Sequence, residues 1–293
     1  MLPNFLIVGA AKCGTTSLYN YLKEHPDIYM SPVKEVNFFS SKYIPTQHER
    51  ELTIEDYESY FAGAKNKKCV GECSPSYMYT PTVARDIKDT LPKCKIIIII
   101  RNPIDRLHSH FIYSKYMGFN SGALINFLHE AEARNSNAWF SKTSMIQAGM
   151  YYKQIKEYMC VFGGGNICIV AFDSLKDEPV TVMKKIFLFL DVDNSFQPKV
   201  NQKYNVGRES IVPIFSQLLG TPNAFKHYTK YLVPKKYRNV VKEYLYKTIL
   251  LINARPVTEK LKAEDRRYLL SIYREDILKL EKLLGIDLST WLR

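Results

Sequence analysis

Residues 95–103 read KIIIIIRNP. Five consecutive isoleucines, Ile96 to Ile100, form a β-branched run with no polar alternation, so the strand they build has no solvent face and lies centrally in a parallel sheet. Pro103 suits the first turn of a helix, and Ile104, Leu107, Phe111 and Ile112 continue at helical spacing. Working outward, residues 5–8 (FLIV) are a second buried strand. The loop GAAKCGTTS follows, and Leu18, Tyr21 and Leu22 then share one helical face. His25-Pro26 stops that helix, because a residue before proline is pushed out of the helical region. Residues 28–30 and 67–72 read as further strands, with the loop SPVKEVNFFS between them. The glycine run 163–165 precedes a strand at 167–172 and a helix at 180–190. Strands alternating with helices predict an α/β fold, a P-loop-type central parallel sheet flanked by helices on both faces. Residues 118–144 read as a long polar loop carrying one short helix, and residues 264–284 as an amphipathic helix stopped by Gly285. With no internal repeat or linker, the expectation is one domain over 1–293, holding a basic, tyrosine-rich segment at about 205–250.

The chain has 293 residues, 46% apolar and 24% charged, which excludes disordered and fibrous classes. No apolar run approaches the roughly 20 residues of a membrane-spanning helix. The opening MLPNFLIVGA lacks a basic leader and a small-residue cleavage site, so a cytoplasmic chain with no membrane partner is expected. The six cysteines (13, 69, 73, 94, 160 and 168) lack the density of a disulfide scaffold and read as reduced thiols, mostly buried in or near strands. The net charge of +12 calls for a partner or ligand carrying negative charge. Residues 203–247 hold nine Lys or Arg against two acids, interleaved with Tyr228, Tyr231, Tyr237 and Tyr244.

The segment 9–16, GAAKCGTT, follows a strand and opens a helix, so backbone N–H groups and the helix N-terminus converge on an anion. It nearly matches the triphosphatase loop GxxxxGK[ST], but Thr15 stands at the lysine position and Lys12 lies between the glycines. A triphosphatase also holds Mg²⁺ on an acid at a neighbouring strand end. Here the isoleucine strand ends in Arg101 and Asn102, with no carboxylate until Asp105. No His, Cys or Asp spacing points to a metal.

Four segments together resemble the sulfotransferase family that uses 3′-phosphoadenosine 5′-phosphosulfate (PAPS), in its heparan-sulfate-like and bacterial branch. GAAKCGTTSL (9–18) is similar to the 5′-phosphosulfate loop and KEVNFFS (34–40) to the KEVHFF-type acidic segment. GECSPSY (71–77) resembles the EKTPAYF-like block, and IIIIIRNPIDRLHSHF (96–111) the 3′-phosphate element. FDSLKDEP (172–179) and LEKLLGIDLSTWL (280–292) extend a looser likeness. The resemblance implies a PAPS-dependent transferase that releases adenosine 3′,5′-bisphosphate (PAP) without a metal. It implies that Lys12 bridges the 5′-phosphate and the departing oxygen, with Cys13, Gly14, Thr15, Thr16 and Ser17 lining the loop. Arg101 and Ser109 clamp the 3′-phosphate, and Gly207 and Arg208 return to it from a later loop. Glu35 is the general base, and Lys34, Asn37 and Glu72 stand on the acceptor side, Glu72 orienting rather than abstracting. Asn37 and Cys73 depart from the family's histidine and lysine.

Two other classes make different predictions. A P-loop kinase or triphosphatase predicts ATP–Mg²⁺ binding. A nucleic-acid module would use the +12 charge but needs a groove reader or stacking platform, which the sequence lacks, so no nucleic-acid partner is expected. The acceptor is expected to be a small metabolite or natural product with a hydroxyl or amine, ahead of a glycan.

Overall fold

A computed structural model of the protein describes residues 1–41, 43, 51–129, 141–200, 208–210, 254–256 and 258–293. Its described residues divide into two compact units, one of residues 1–106, 147–205 and 270–293, the other of residues 107–146 and 206–269.

The first unit is built on five parallel strands. They are β1 (Phe5–Gly9), β2 (Ile28–Met30), β3 (Cys69–Cys73), β4 (Lys95–Ile100) and β5 (Ile167–Ala171), in the spatial order β2-β3-β1-β4-β5. Every residue of β1 and β3 is buried, as are Ile96 to Ile100 of β4, which matches the inner positions of these strands. β5, at the edge, alternates buried and half-buried residues. Phe5 stands opposite Gly71 and Lys95, and Ile96 opposite Ile167, while the β1–β4 register slips by one residue between Ile7 and Gly9, at the entry to the loop that follows.

Right-handed crossovers place α1 (Thr15–Lys23), which leads from β1 to β2, on one face, and α3 (Val83–Thr90), which leads from β3 to β4, on the other. α7 (Tyr151–Phe162) lies beside α3, with the Lys88 ammonium 5.4 Å from the Phe162 ring centre. α9 (Pro179–Leu190) shares the face of α1: the His25 ring, just past α1, lies 4.6 Å from that of Phe187. Helices thus cover both sides of the sheet. The short α2 (Ile54–Ser59) and α8 (Phe172–Asp177) complete this unit with the C-terminal part of α10 (Ala263–Leu284).

The second unit takes most of α4 (Pro103–Tyr116), α5 (Leu124–His129), most of α6 (Lys142–Gln147) and the start of α10. A short antiparallel pair, β6 (Arg208–Ser210) with β7 (Ala254–Pro256), joins them. Within it the Phe111 and Phe127 rings stand 5.1 Å apart, and Lys115 bonds Glu259 at 2.6 Å. Most of the basic tyrosine-rich segment lies outside the described residues.

Five of the six cysteines are buried and all are free; Cys160, on α7, is exposed. No described helix is long and apolar enough to cross a membrane.

Candidate active site

The phosphate loop hangs between β1 and α1. Ala10 N–H bonds Ile99 O at 2.7 Å, tying the loop to the C-terminal end of β4, where α/β sheets gather ligands. Lys12 and Gly14 both have left-handed backbone, φ 68° and 85°. A side chain on Gly14 would also stand 2.9 Å from the Phe172 ring, so glycine is required there both for conformation and for space. α1 has no side-chain cap, and its first internal bond runs from Leu18 N–H to Gly14 O. The N–H groups of Thr15, Thr16 and Ser17 therefore precede the helical ladder and line the positive end of the helix dipole.

Positive charge converges on this loop. Burial drives the pKa of Lys12 down to about 8; Glu35 opposes the shift, while Lys34, Arg106 and Arg101 add to it. A lysine held in a setting that disfavours its own charge is matched to an arriving anion. Arg101, at the end of β4, donates to Lys12 O at 3.4 Å, and its guanidinium lies 4.7 Å from the centre of the Phe172 ring, a cation–π contact. These residues fit a nucleotide bearing two phosphates: a loop of N–H donors, a half-buried lysine and a planar guanidinium beside it.

The acidic segment crosses next to this loop. Glu35 is half-exposed and Lys34 less so, and their side chains form an ion pair. Glu35 and Asn37 also have left-handed backbone, φ 65° and 56°. The Asn37 amide is committed inside the protein, Nδ2 donating to Glu35 O at 2.9 Å and Oδ1 accepting from Ser76 Oγ, past the end of β3, at 2.7 Å.

Of the residues expected to face an acceptor, Glu72 does not reach the surface. It is fully buried, and its carboxylate accepts from the hydroxyls of Tyr57, Tyr77 and Ser74 at 2.8, 2.7 and 2.6 Å. The Cys13 side chain also points into the core, Sγ 3.6 Å from Tyr151 OH, and burial raises its pKa; that leaves only its backbone to face the loop. Cys73 is a buried thiol, with Sγ 3.9 Å from Thr15 O and its pKa pushed up to about 12 by burial. Ser109 lies half-buried on α4 in the second unit, between half-buried His108 and buried His110. Arg208 starts β6 in that unit, and Gly207 lies outside the described residues.

Two residues that pattern reading passed over belong to the site. Arg106, fully buried on the first turns of α4, exerts its charge on Lys12, Cys13 and Tyr79 and hydrogen-bonds Tyr273. Its signal was available, since it falls among the inward positions Pro103, Leu107 and His110. Phe172, against which Gly14 and Arg101 both pack, left no local signal. Among the described residues no group of three His, Cys, Asp or Glu is placed to hold a metal ion.

A phosphate loop on a five-stranded parallel sheet, with a lysine inside the loop and an arginine at the next strand end, defines an α/β transferase fold. Residues 2–206 match the family model described as "Sulfotransferase domain", and the chain belongs to that family. The crystal structure of a sulfotransferase from Alicyclobacillus acidocaldarius superposes over the whole of both chains, with 26% identity and a TM-score of 0.75. The bifunctional heparan sulfate N-deacetylase/N-sulfotransferase 4 of Mus musculus is 27% identical over 308 aligned positions, covering all of this chain and 31% of that protein. The membrane-associated sulfotransferase kil1 of Dictyostelium discoideum is 35% identical over 113 residues, 39% of this chain and 23% of that one. The chain spans less than half the length of these curated relatives.

Proposed function

We propose that the chain transfers a sulfuryl group from PAPS to a hydroxyl or amine of a small metabolite or natural product. When bound, PAPS supplies the activated sulfuryl group and leaves as PAP. The observation that carries this reading is the half-buried Lys12 side chain inside the loop, with Arg101 bonded to the same loop. Lys12 offsets charge on the departing phosphate oxygen, and the N–H groups of residues 14–17 hold the 5′-phosphate. Arg101 holds the 3′-phosphate, a role that the family resemblance also gives to Ser109, Gly207 and Arg208. Glu35, half-exposed beside Lys12, takes the acceptor's proton, and Lys34 steadies the sulfuryl oxygens.

A buried neutral thiol at Cys73 and an Asn37 amide spent on Glu35 O and Ser76 Oγ leave this part of the site poor in groups for gripping a polyanion, which favours a small acceptor. The whole-chain similarity to a heparan sulfate N-deacetylase/N-sulfotransferase favours a second reading, a sugar acceptor. Incubation with ³⁵S-labelled PAPS and panels of small alcohols, amines and oligosaccharides separates the two by which panel takes up label. The same protein is expected to gain thermal stability from PAP; stabilisation by ATP–Mg²⁺ and not by PAP would instead indicate a kinase or triphosphatase. Glu35→Gln is expected to remove most turnover while leaving PAP affinity nearly unchanged, and normal turnover in that variant would remove Glu35 as the base.

A further inference from the structure

The segment carrying Glu35 is pinned to the end of β3 at alternate residues. Glu35 N–H bonds Cys73 O at 2.9 Å, Asn37 N–H bonds Ser74 Oγ at 3.0 Å, and Phe39 N–H approaches Tyr77 OH at 3.4 Å. Two of the three pins end on hydroxyls, and both hydroxyls also contact one buried carboxylate. Ser74 Oγ donates to Glu72 Oε2 at 2.6 Å and Tyr77 OH to Glu72 Oε1 at 2.7 Å, while Tyr57 OH gives Oε1 a second donor at 2.8 Å.

A hydroxyl has one proton and two lone pairs. Once its proton is given to a carboxylate it presents only lone pairs elsewhere, so Ser74 and Tyr77 are fixed as acceptors for the loop N–H groups. A carboxylate is the one side chain that takes three donors and offers none. The loop needs this hold because Glu35 and Asn37 both adopt the left-handed backbone that non-glycine residues enter at a cost. We propose that Glu72 is a positioning residue: by fixing the hydrogen-bond direction of Ser74 and Tyr77, it locks the 35–39 loop and aims Glu35 at the acceptor. The aiming rests on the reading of Glu35 as base; the locking does not.

Glu72→Gln tests this with little change in volume, because the amide introduces two donors where only acceptors fit and reverses at least one hydroxyl. Amide hydrogen exchange at Asn37 and Phe39 is expected to quicken about 10-fold, with β1 and β4 unchanged. Turnover is expected to fall about 10-fold with PAP affinity within twofold. In a Glu35→Gln background the same change should add less than a twofold further loss, since the group being aimed is already gone. Ser74→Ala, which keeps the carboxylate, serves as a milder variant and should quicken exchange at Asn37 more than at Phe39. Unchanged exchange at both amides in Glu72→Gln and Ser74→Ala overturns the lock. Quickened exchange with full turnover, or an undiminished loss in the Glu35→Gln background, overturns the aiming role. Full turnover in Glu35→Gln alone defeats the base reading and the aiming with it, while the exchange result still decides the lock.

Discussion

Burial and charge work against each other at Lys12. Its pKa in the folded chain, about 8, lies below the ordinary lysine value of 10.5, so between these values the folded state binds fewer protons than the unfolded state. Stability therefore rises with pH across that window. Lys12→Met is thus expected to remove this pH dependence, so that the melting temperature no longer rises between about pH 8 and 10. The same variant should bind PAP about 10- to 100-fold more weakly, the range of a lost charge-assisted hydrogen bond. For the parent protein, PAP affinity should be highest below pH 8 and fall above it, approaching tenfold per unit as Lys12 loses its proton. Calorimetric titration from pH 7 to 10 reads this directly, and Lys12→Met should flatten the profile. Arg106 supplies part of the positive field that acts on Lys12. Arg106→Met should move the alkaline fall to higher pH, because one of the charges that depress the Lys12 pKa is removed.

At the scale of elements, the loop between β1 and α1 depends on a neighbour far along the chain. Gly14→Ala places a methyl group 2.9 Å from the Phe172 ring at a residue with φ 85°, and should cost about 1–3 kcal/mol with weakened PAP binding. Phe172→Leu should recover part of that stability in the double variant, measurable by denaturant unfolding as a non-additive pair. β1, β2, β4, β5, α9 and α10 were legible in sequence because an unbroken apolar run or a 3.6-residue period is a local property. β3 was placed two residues early, at 67–72 against Cys69–Cys73; Lys67 and Lys68 are polar and the last two buried residues are Glu72 and Cys73. α2 was passed over although Thr53 and Asp56 form a capping box, with Thr53 N–H to Asp56 Oδ2 at 2.8 Å, a signature that can be read directly. The loop expected at 118–144 does carry a short helix, α5, and α6 begins within its last residues.

Over the whole molecule, the +12 charge raises the local concentration of anions before any contact forms. The association rate of PAP is expected to drop severalfold between about 20 and 200 mM salt, and stopped-flow fluorescence would show it. A flat response would mean that the surplus, including the nine cations of 203–247, lies away from the entry route. Sequence was sufficient for the parallel α/β architecture, the phosphate loop and the acid and basic residues near it. Each follows from neighbours in the chain: β-branched runs bury both faces, and glycine beside a strand end frees backbone donors. Assembly of the polar interior was not legible in this way. By sequence Glu72 is a strand-end acid and Arg106 one more helix residue; packing closes Tyr57, Ser74 and Tyr77 on the first and brings the charge of the second to bear on Lys12. Periodicity specifies which face of an element is buried. What satisfies a buried charge depends on side chains brought in by other elements, and that is settled only when the elements pack.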